Sequence, residues 1–405
     1  MTSPLHPRAT LRPDRDKPVR QRHPWVFSGA LARIDDAAED GGLVDLFSAG
    51  GEFLARGYLN RRSQIMIRLL TWDAAEAIDD AFWRGRIARA CAGRVIPPDG
   101  AGRLVYSESD GLPGLILDRY GDWLVVQALT LGIETRKQQL ARVARELTGA
   151  RGVFERSDVD VREKEGLAPA TGLLAGEEPP AELTFVESAF DDRPLRQIVD
   201  LRRGHKTGAY LDQAINRRRV GRWCAALGPG AQCLNAFAYT GAFALHLLAA
   251  GAAGVLNIDS SAEALATARR NLELNGFAPN DDDFHCANVF EALRGLRDRA
   301  RRFDLIVLDP PRLAQSAAHV DRAARAYKDL SMLALKLLRP GGLLATFSCS
   351  GQISAELFQK IVFSAALDAG RDAQIVERFT QAPDHPVLLS FPEASYLKGL
   401  LLRAG

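Results

Sequence analysis

The chain has little cysteine, little net charge and no long apolar run. Five cysteines are scattered along 405 residues, with no C-x-x-C pair and no histidine at ligand spacing, which argues against a disulfide framework or a structural zinc site. The formal charge is only +2, so a nucleic-acid partner must be bound by local basic patches. No uncharged stretch is long enough to span a bilayer, and residues 1–25 lack the apolar core of a secretion signal. We therefore expect a protein of the reducing cytoplasm, with no bound metal and no membrane contact.

The composition, with 47% hydrophobic and 25% charged residues, is that of a globular chain that can bury two or three cores. Residues 1–75 contain short strands between turns, which indicates a small β-rich domain. Residues 76–185 alternate helical and strand patterns and predict an α+β middle domain. From 186 to 405, apolar strands alternate with helices, which predicts an α/β domain with an open, doubly wound, Rossmann-like sheet.

Ligands of a doubly wound sheet bind beyond the carboxyl ends of its strands, so the residues that end each strand are informative. The first strand is followed by the tight-turn glycine Gly241 rather than by G-x-G-x-x-G, which counts against NAD or FAD. Eighteen residues later, Asp259 ends the second strand, where a carboxylate can accept hydrogen bonds from both ribose hydroxyls of an adenosine. Ribose recognition without a pyrophosphate site predicts S-adenosylmethionine (SAM). The plainer alternative is that Asp259 caps the helix that starts at Ser260 or Ser261.

The next two strand ends carry Asn288 and Asp309. The amide oxygen of Asn288 could contact the adenine edge, although an asparagine in a surface turn is as common. Asp309 is followed by two prolines in "LDPPR", which stiffen the loop and fix the carboxylate where substrate and cofactor would meet. A helix cap or a salt bridge is the structural alternative for Asp309.

Two basic segments are candidates for nucleic-acid contacts. In the stretch before the sheet, Lys206 could bind a carboxylate or phosphate, and Arg217–Arg219 could bind an RNA backbone. An exposed helix face would carry the same charges. Near the start of the chain, six basic residues precede Trp25 and Phe27, which is typical either of a solvated arm or of a phosphate-binding one.

With these residues in view, the chain resembles the RlmI-type family of SAM-dependent 23S rRNA (cytosine-5) methyltransferases. The resemblance covers nearly the whole chain and is carried by several motifs: "HPWVFSGAL", "ESDGLPGLILDRYGDWLVVQ", "GHKTGAYLDQAINRR", "NAFAYTGAFAL", "LDPPRLA", "FSCSG" and "DHPVLLSFPEASYLKG". It implies an N-terminal PUA-like RNA-binding domain over residues 1–75, a middle domain over 76–185 and a methyltransferase domain over 186–405. It also implies SAM as cofactor, 23S rRNA or a precursor of the ribosomal subunit as partner, and a homodimer.

The same resemblance assigns a set of residues to the SAM pocket. They are Lys206, Thr207, Tyr210, Leu211, Gln213, Phe237, Ala238, Tyr239, Thr240, Gly241, Asp259, Ser260, Asn288 and Asp309. Three positions depart from the family pattern: Ala214 stands where a basic residue is usual, Leu313 where an aromatic is usual, and Asn288 where Asp is usual.

The catalytic candidates are Cys349 and Asp309. Because C5 of cytosine is a poor nucleophile, its methylation needs a thiolate that attacks C6 and makes C5 an enamine carbon. Strands ending at Asp309 and Cys349 are expected to be neighbours, so that both side chains face one pocket. We further expect a helix opening at Ser350 and Gly351, whose positive end would favour the thiolate.

The remaining cysteines, Cys91, Cys224, Cys233 and Cys286, are expected to be packed. His385 and Glu393 are candidates for the base that removes the C5 proton, but a structural role for their segment is at least as plausible.

Three other functions fit parts of the pattern. An amino-group methyltransferase acting on guanine or adenine would use the "DPPR" loop without a nucleophile, and a uracil-C5 methyltransferase would share the covalent chemistry. An RNA-binding or assembly protein would keep the fold without catalysis.

Overall fold

The structure is a computed structural model and describes residues 6–314 and 316–405. The strands are β1 Arg8–Leu11, β2 Trp25–Phe27, β3 Leu31–Ile34, β4 Leu43–Phe47, β5 Phe53–Leu59, β6 Ile65–Thr71, β7 Ala101–Tyr106, β8 Leu115–Tyr120, β9 Trp123–Ala128, β10 Gly152–Ser157, β11 Ala170–Gly176, β12 Leu183–Ser188, β13 Pro194–Val199, β14 Gln232–Ala236, β15 Gly254–Asp259, β16 Phe284–Cys286, β17 Phe303–Leu308, β18 Leu338–Ser348, β19 Ala373–Thr380 and β20 Lys398–Ala404. The helices are α1 Lys17–Arg20, α2 Asp80–Ala92, α3 Leu131–Glu134, α4 Lys137–Thr148, α5 Ala214–Ala226, α6 Ala242–Ala249, α7 Ala262–Leu274, α8 Val289–Asp298, α9 Val320–Leu337 and α10 Ala355–Ala369.

One compact unit contains the chain up to Phe185 together with Val199–Leu211 and Asp384–Ala394. It holds a six-stranded sheet in the order β2-β6-β5-β4-β1-β3 and a five-stranded sheet in the order β11-β10-β9-β8-β7. The first sheet buries an aliphatic cluster of its own, and α2 and α4 bury their apolar faces with the second sheet. β8 and β9 form a hairpin around Gly121 and Asp122, with Tyr120 paired with Trp123.

The other unit comprises Val186–Ile198, Asp212–Pro383 and Ser395–Gly405. Its seven-stranded sheet has the order β16-β15-β14-β17-β18-β20-β19, in which β14 to β18 are parallel and β20 and β19 antiparallel. Side chains of α8, α9 and α10 contribute to one buried cluster and those of α5, α6 and α7 to another. The predicted doubly wound α/β fold is confirmed, and the order reverses between β14 and β17, where such folds bind ligands.

Two segments that the sequence analysis assigned to the methyltransferase domain, 199–211 and 384–394, belong to the first compact unit. The three-domain division at 75/76 and 185/186 is kept as a prediction. Within residues 6–314 and 316–405, no helix has the length and apolar character required to cross a membrane.

Candidate active site

The backbone of the loop after β14 adopts positive φ angles, which residues with a side chain rarely adopt. Phe237 has φ 61° and Tyr239 has φ 47°, both in the left-handed region, and Gly241 has φ 77°. Such a conformation costs a non-glycine residue of order 1 kcal/mol or more and is typical of functional loops. Gly241 is required for a second reason, since a Cβ there would lie 2.8 Å from the Cβ of Ala268 on α7. The loop is therefore held close to α7 at the carboxyl edge of the sheet.

Asp259 fixes this loop from the end of β15. Its Oδ2 accepts the backbone N–H of Tyr239 at 2.8 Å, and its Oδ1 accepts that of Ser261 at 2.9 Å. The N-cap of α7 is Ser261, whose hydroxyl accepts the N–H of Ala264 at 3.1 Å. The capping alternative is thus partly right, but each oxygen of a carboxylate can accept a further hydrogen bond. The partly exposed Asp259 therefore fits the hydroxyls of a ribose as well.

Asn288 and Ser260 lie at neighbouring strand ends and are both exposed. Asn288 is the N-cap of α8, and its Oδ1 accepts the N–H of Phe290 at 2.9 Å. Asn288 thus acts as a cap in a surface turn, while its Oδ1 can accept a further hydrogen bond and its amide N–H₂ can donate, so a contact with the adenine stays a prediction. The carbonyl of Ser260 lies 3.6 Å from the Sγ of Cys286. Cys286 is exposed, so the expectation that it is packed is wrong.

Asp309 and Cys349 follow adjacent parallel strands, as expected. β17 pairs with β18, with Leu308 opposite Thr346, and the Sγ of Cys349 lies 4.0 Å from the carbonyl oxygen of Pro310. This brings the thiol to the loop that begins with Asp309.

Gln213 braces the carboxylate of Asp309. Its Nε2 donates to Asp309 Oδ1 at 3.0 Å, while its Oε1 accepts a hydrogen bond from the buried Asn216 at 2.6 Å. Gln213, assigned to the cofactor pocket from sequence, thus lies within hydrogen-bond reach of a catalytic candidate.

A chain of buried hydroxyls fixes the turn that carries Cys349. Ser348 Oγ lies 3.0 Å from the hydroxyl of Tyr327 on α9, and that hydroxyl lies 3.1 Å from Ser350 Oγ. Ser350 Oγ also accepts the N–H of Ala314 at 3.1 Å, which ties the turn to the end of the Asp309 loop. Ser348 and Ser350 are fully buried, whereas Cys349 between them is partly exposed. The thiol is thus the member of this trio that a substrate can reach.

The predicted source of thiolate stabilisation is wrong, because α10 does not begin at Ser350. Its N-cap is Ser354, so the positive end of the helix does not adjoin the sulfur. Lys398 provides a positive charge instead. Its Nζ donates to the carbonyls of Ser350 at 2.7 Å and Ile353 at 2.6 Å, which lie in the turn after Cys349.

The charge state of Lys398 is sensitive to this environment. Burial lowers the pKa of Lys398 to about 8, the Cys349 thiolate acts to raise it, and Arg312 acts to lower it. Sequence reasoning missed Lys398 because its antiparallel pairing with Ser348 is a tertiary feature. The available signal was a lysine just before the apolar run Leu400–Leu402 of β20.

The other four predicted cofactor residues, Lys206, Thr207, Tyr210 and Leu211, belong to the first unit. The hydroxyl of Thr207 donates to Asp118 at 2.6 Å, and Leu211 is buried in an apolar cluster with Tyr120. Lys206 lies over the ring of Tyr210, with Nζ 4.4 Å from the centroid. The side chains of Thr207 and Leu211 thus have structural contacts, and the lining role of these four residues stays a prediction.

Arg217 was a candidate for RNA contacts, and this prediction is wrong. Its side chain is 3% exposed and bonds the two carboxylate oxygens of Glu187. Glu187 also lies 2.8 Å from Nε2 of the buried His246. Burial alone would raise the pKa of Glu187, but Arg217 and His246 lower it. Arg217 is therefore part of the interior, whereas Arg218 pairs with the exposed Asp192.

The two candidates for the proton-accepting base have structural contacts in the first unit. His385 is 2% exposed, with Nδ1 2.8 Å from Asp384 Oδ1. Glu393 lies 3.3 Å from Nε2 of His23. These contacts favour the structural role that the sequence analysis kept open for this segment.

The chain is similar to known protein families and to solved structures. The profile of the PUA-like domain family matches residues 9–72, and that of the S-adenosylmethionine-dependent methyltransferase family matches residues 138–403. Among solved structures, SMU.776 in complex with SAH has a TM-score of 0.83 at 19% identity and covers 98% of this chain and 99% of its own. The fold and the matched profile are those of a SAM-dependent methyltransferase.

Two curated relatives narrow the class. The ribosomal RNA large subunit methyltransferase I of Shewanella amazonensis is 48% identical over 400 residues, which are 98% of this chain and 99% of that protein. The protein of the same name from Klebsiella pneumoniae strain 342 is 44% identical over the full length of both. The chain belongs to the ribosomal RNA large subunit methyltransferase I family, and its cofactor is SAM.

The burial of Arg217 predicts a large loss of stability for Arg217→Met. Removing the guanidinium leaves the Glu187 carboxylate buried without its main partner, at a cost of about 3–5 kcal/mol. The midpoint of urea unfolding should fall sharply, whereas Arg218→Met, which removes an exposed pair, should cost under about 1 kcal/mol. Equal shifts for the two variants would contradict the buried arrangement.

Proposed function

We propose that the protein transfers the methyl group of SAM to C5 of a cytosine in 23S rRNA, through a covalent adduct between Cys349 and C6. The names of the full-length relatives support ribosomal RNA of the large subunit as the substrate. The observation that carries the C5 chemistry is the position of Cys349 beside the Asp309 loop, at the carboxyl ends of adjacent strands in a SAM methyltransferase sheet.

The cofactor residues are proposed from the same sheet edge. The loop from Phe237 to Gly241 lets its backbone lie close to the cofactor. Asp259 accepts hydrogen bonds from the ribose hydroxyls, and Asn288 contacts the adenine. Lys206, Thr207, Tyr210, Leu211 and Gln213 complete the proposed set. When bound there, SAM supplies an electrophilic methyl group.

The protein groups perform the other steps. The Cys349 thiolate adds to C6, and the electron pair of the C5–C6 bond becomes available at C5. Asp309, oriented by Gln213, favours protonation at N3, which stabilises the charge that addition places on the ring. After C5 has taken the methyl group, a base removes the C5 proton. The C6–S bond then breaks and returns the thiolate.

Lys398 is proposed as a positioning residue for the nucleophile. Its two hydrogen bonds hold the turn after Cys349, and its positive charge favours the thiolate over the thiol. This replaces the helix-end effect that the sequence suggested.

The target carbon lies within the base stack of an RNA, so we propose that the cytosine is flipped into the site. The PUA-like domain, matched over residues 9–72, is proposed to hold flanking RNA. A homodimer is part of the same proposal, from the resemblance alone.

The covalent step is tested by Cys349→Ser. This variant should lose methylation of unmodified large-subunit rRNA and should form no adduct with RNA containing 5-fluorocytidine, because fluorine at C5 blocks release only after thiolate attack. Methylated nucleosides are identified by mass spectrometry and adducts by denaturing gel. Cys91→Ser, a half-buried cysteine of the first unit, is the matched control. Methylation that survives Cys349→Ser would favour an amino-group methyltransferase, and methylated uridine would favour the uracil-C5 alternative.

Asp259→Asn tests the ribose contact. The amide keeps the shape but loses one acceptor oxygen, so SAM should bind about tenfold more weakly in calorimetry, equivalent to about 1.4 kcal/mol. Asp304→Asn is the control, since Asp304 also accepts a backbone N–H, that of Gln232, but at the amino-terminal edge of the sheet. Unchanged SAM affinity in Asp259→Asn would remove Asp259 from the proposed set.

The charge of Lys398 predicts a shifted pH dependence of adduct formation. Below about pH 8 the lysine is charged and favours the thiolate of Cys349. Without this charge, in Lys398→Gln, the rate of adduct formation should rise with pH at values about one pH unit higher. Lys398→Arg keeps the positive charge, so its rate of adduct formation should rise over the same pH range as that of the unchanged protein. A lower rate at every pH without a shift would mean that Lys398 only holds the turn.

A further inference from the structure

A cavity of about 350 Å³ lies in the unit that holds the seven-stranded sheet, beside the turn that follows Cys349. Its walls are this turn, the first turn of α10, the carboxyl end of β19 and the start of β20. Lys398 at the start of β20 is paired with Ser348 on one side and with Thr380 on the other. The cavity therefore lies at the same edge of the sheet as the thiol, one strand further along.

The lining of this cavity is positively charged. Among the described residues it contains two cations, Arg378 and Lys398, and no carboxylate. Three residues with hydroxyl groups complete its polar part, namely Ser354, Thr380 and Ser395. Guanidinium, ammonium and hydroxyl groups all donate hydrogen bonds, and charged donors bind anionic oxygens most strongly. The chemistry of the lining is therefore that of an anion site.

Both cations have only neutral partners in the described part of the chain. Lys398 donates to two backbone carbonyls of the turn after Cys349. Arg378 is exposed and donates to Oε1 of Gln359 at 2.7 Å. An ammonium group has three N–H donors and a guanidinium has five, so each cation keeps donors for a ligand.

The pKa of Lys398 shows that its charge lacks a counter-ion from the protein surroundings. Burial lowers this pKa to about 8, and of the neighbouring charges only the thiolate of Cys349 opposes the effect. An anion in the cavity would favour the charged form of the lysine.

Helix α10 adds to the positive field of the cavity. The first N–H groups of a helix have no partner within it, and they attract anions. Ala355, the first residue of α10, lines the cavity. The acidic residue of the same turn, Glu356, is paired with Lys360 and is not part of the lining.

We propose that this cavity binds a backbone phosphate of the RNA next to the flipped cytosine. Phosphate groups are typically bound by arginine, lysine, hydroxyl side chains and helix N-termini, which are the groups present here. A nucleotide carries its phosphates one sugar away from its base, so a cytosine whose C6 reaches Cys349 brings a phosphate to this edge of the sheet. The inference rests on the proposed function, because it assumes an RNA whose target base enters beside Cys349.

The first test is the salt dependence of RNA binding by Arg378→Gln. The full chain is titrated with an unmodified transcript of large-subunit rRNA by filter binding, from about 50 to about 200 mM salt. Loss of one phosphate contact should weaken binding about tenfold at the lowest salt and reduce the slope of log K against log[salt] by about 0.7.

Arg302→Gln is the matched control. Arg302 is also exposed and also donates to a neutral acceptor, the carbonyl of Arg301 at 3.1 Å, but it precedes β17 at the amino-terminal edge of the same sheet. The variant removes the same charge and should bind the transcript with the affinity and slope of the unchanged protein.

The second test locates the contact by ethylation interference. Ethylation neutralises single phosphates of the transcript, and the unchanged protein should fail to bind RNA that is ethylated beside the modified nucleotide, which mass spectrometry identifies. Arg378→Gln should bind this ethylated RNA and the unmodified RNA alike, because the contact is already lost.

Equal salt slopes for Arg378→Gln and Arg302→Gln would overturn the proposal, as would an interference pattern that is the same in Arg378→Gln and in the unchanged protein. Inorganic phosphate that protects the unchanged protein from thermal unfolding more than it protects Arg378→Gln, with no difference in RNA binding, would indicate a site for free phosphate and would also overturn it.

These results are separable from those on the covalent mechanism. Binding requires no methyl transfer, so a failure of the Cys349 mechanism would leave a specific loss in Arg378→Gln unchanged. Methylation that proceeds while both arginine variants show equal slopes would reject the phosphate site and leave the proposed function standing.

Discussion

The parallel pairing of β17 with β18 is the constraint on which the candidate active site depends. Parallel strands in register end at the same edge of a sheet, so the residues that follow Leu308 and Ser348 are brought together. Neither strand could shift by one residue without turning its buried aliphatic side chains to the opposite face. The pairing of β17 with β18 within the apolar core of the sheet thus sets the relation between Asp309 and Cys349.

Hydrogen bonds of buried polar groups fix the turn that carries Cys349 and the end of the Asp309 loop. Tyr327 links Ser348 with Ser350, Ser350 binds the end of the Asp309 loop, and Lys398 closes the turn from the neighbouring strand. These hydroxyls are buried, and a buried network that is fully bonded favours one geometry over its alternatives. The position of Cys349 thus depends on contacts between elements that are distant in sequence.

Features that leave a local sequence pattern were predictable, and features that depend on tertiary packing were not. Buried parallel strands, the turn at Gly241 and the carboxylate at Asp259 leave local patterns, so the fold and this strand edge were predictable. The burial of Arg217, the brace between Gln213 and Asp309 and the charge of Lys398 depend on which elements pack together. In each case the residue type alone does not show whether the side chain faces solvent or contacts a partner from another element. The start of α10 was misplaced because its true cap, Ser354, lies beyond two earlier small polar residues.

Cys286 has a consequence for chemical labelling. It is exposed on the strand beside Asp259, with which it is paired in register, and its sulfur lies near the carbonyl of Ser260. A maleimide or iodoacetamide adduct at Cys286 would place a bulky group next to the proposed ribose position. Inactivation by a thiol reagent, and protection from it by SAM, would therefore be ambiguous between the two sulfurs. Peptide mapping of the labelled site is needed before such data bear on the nucleophile.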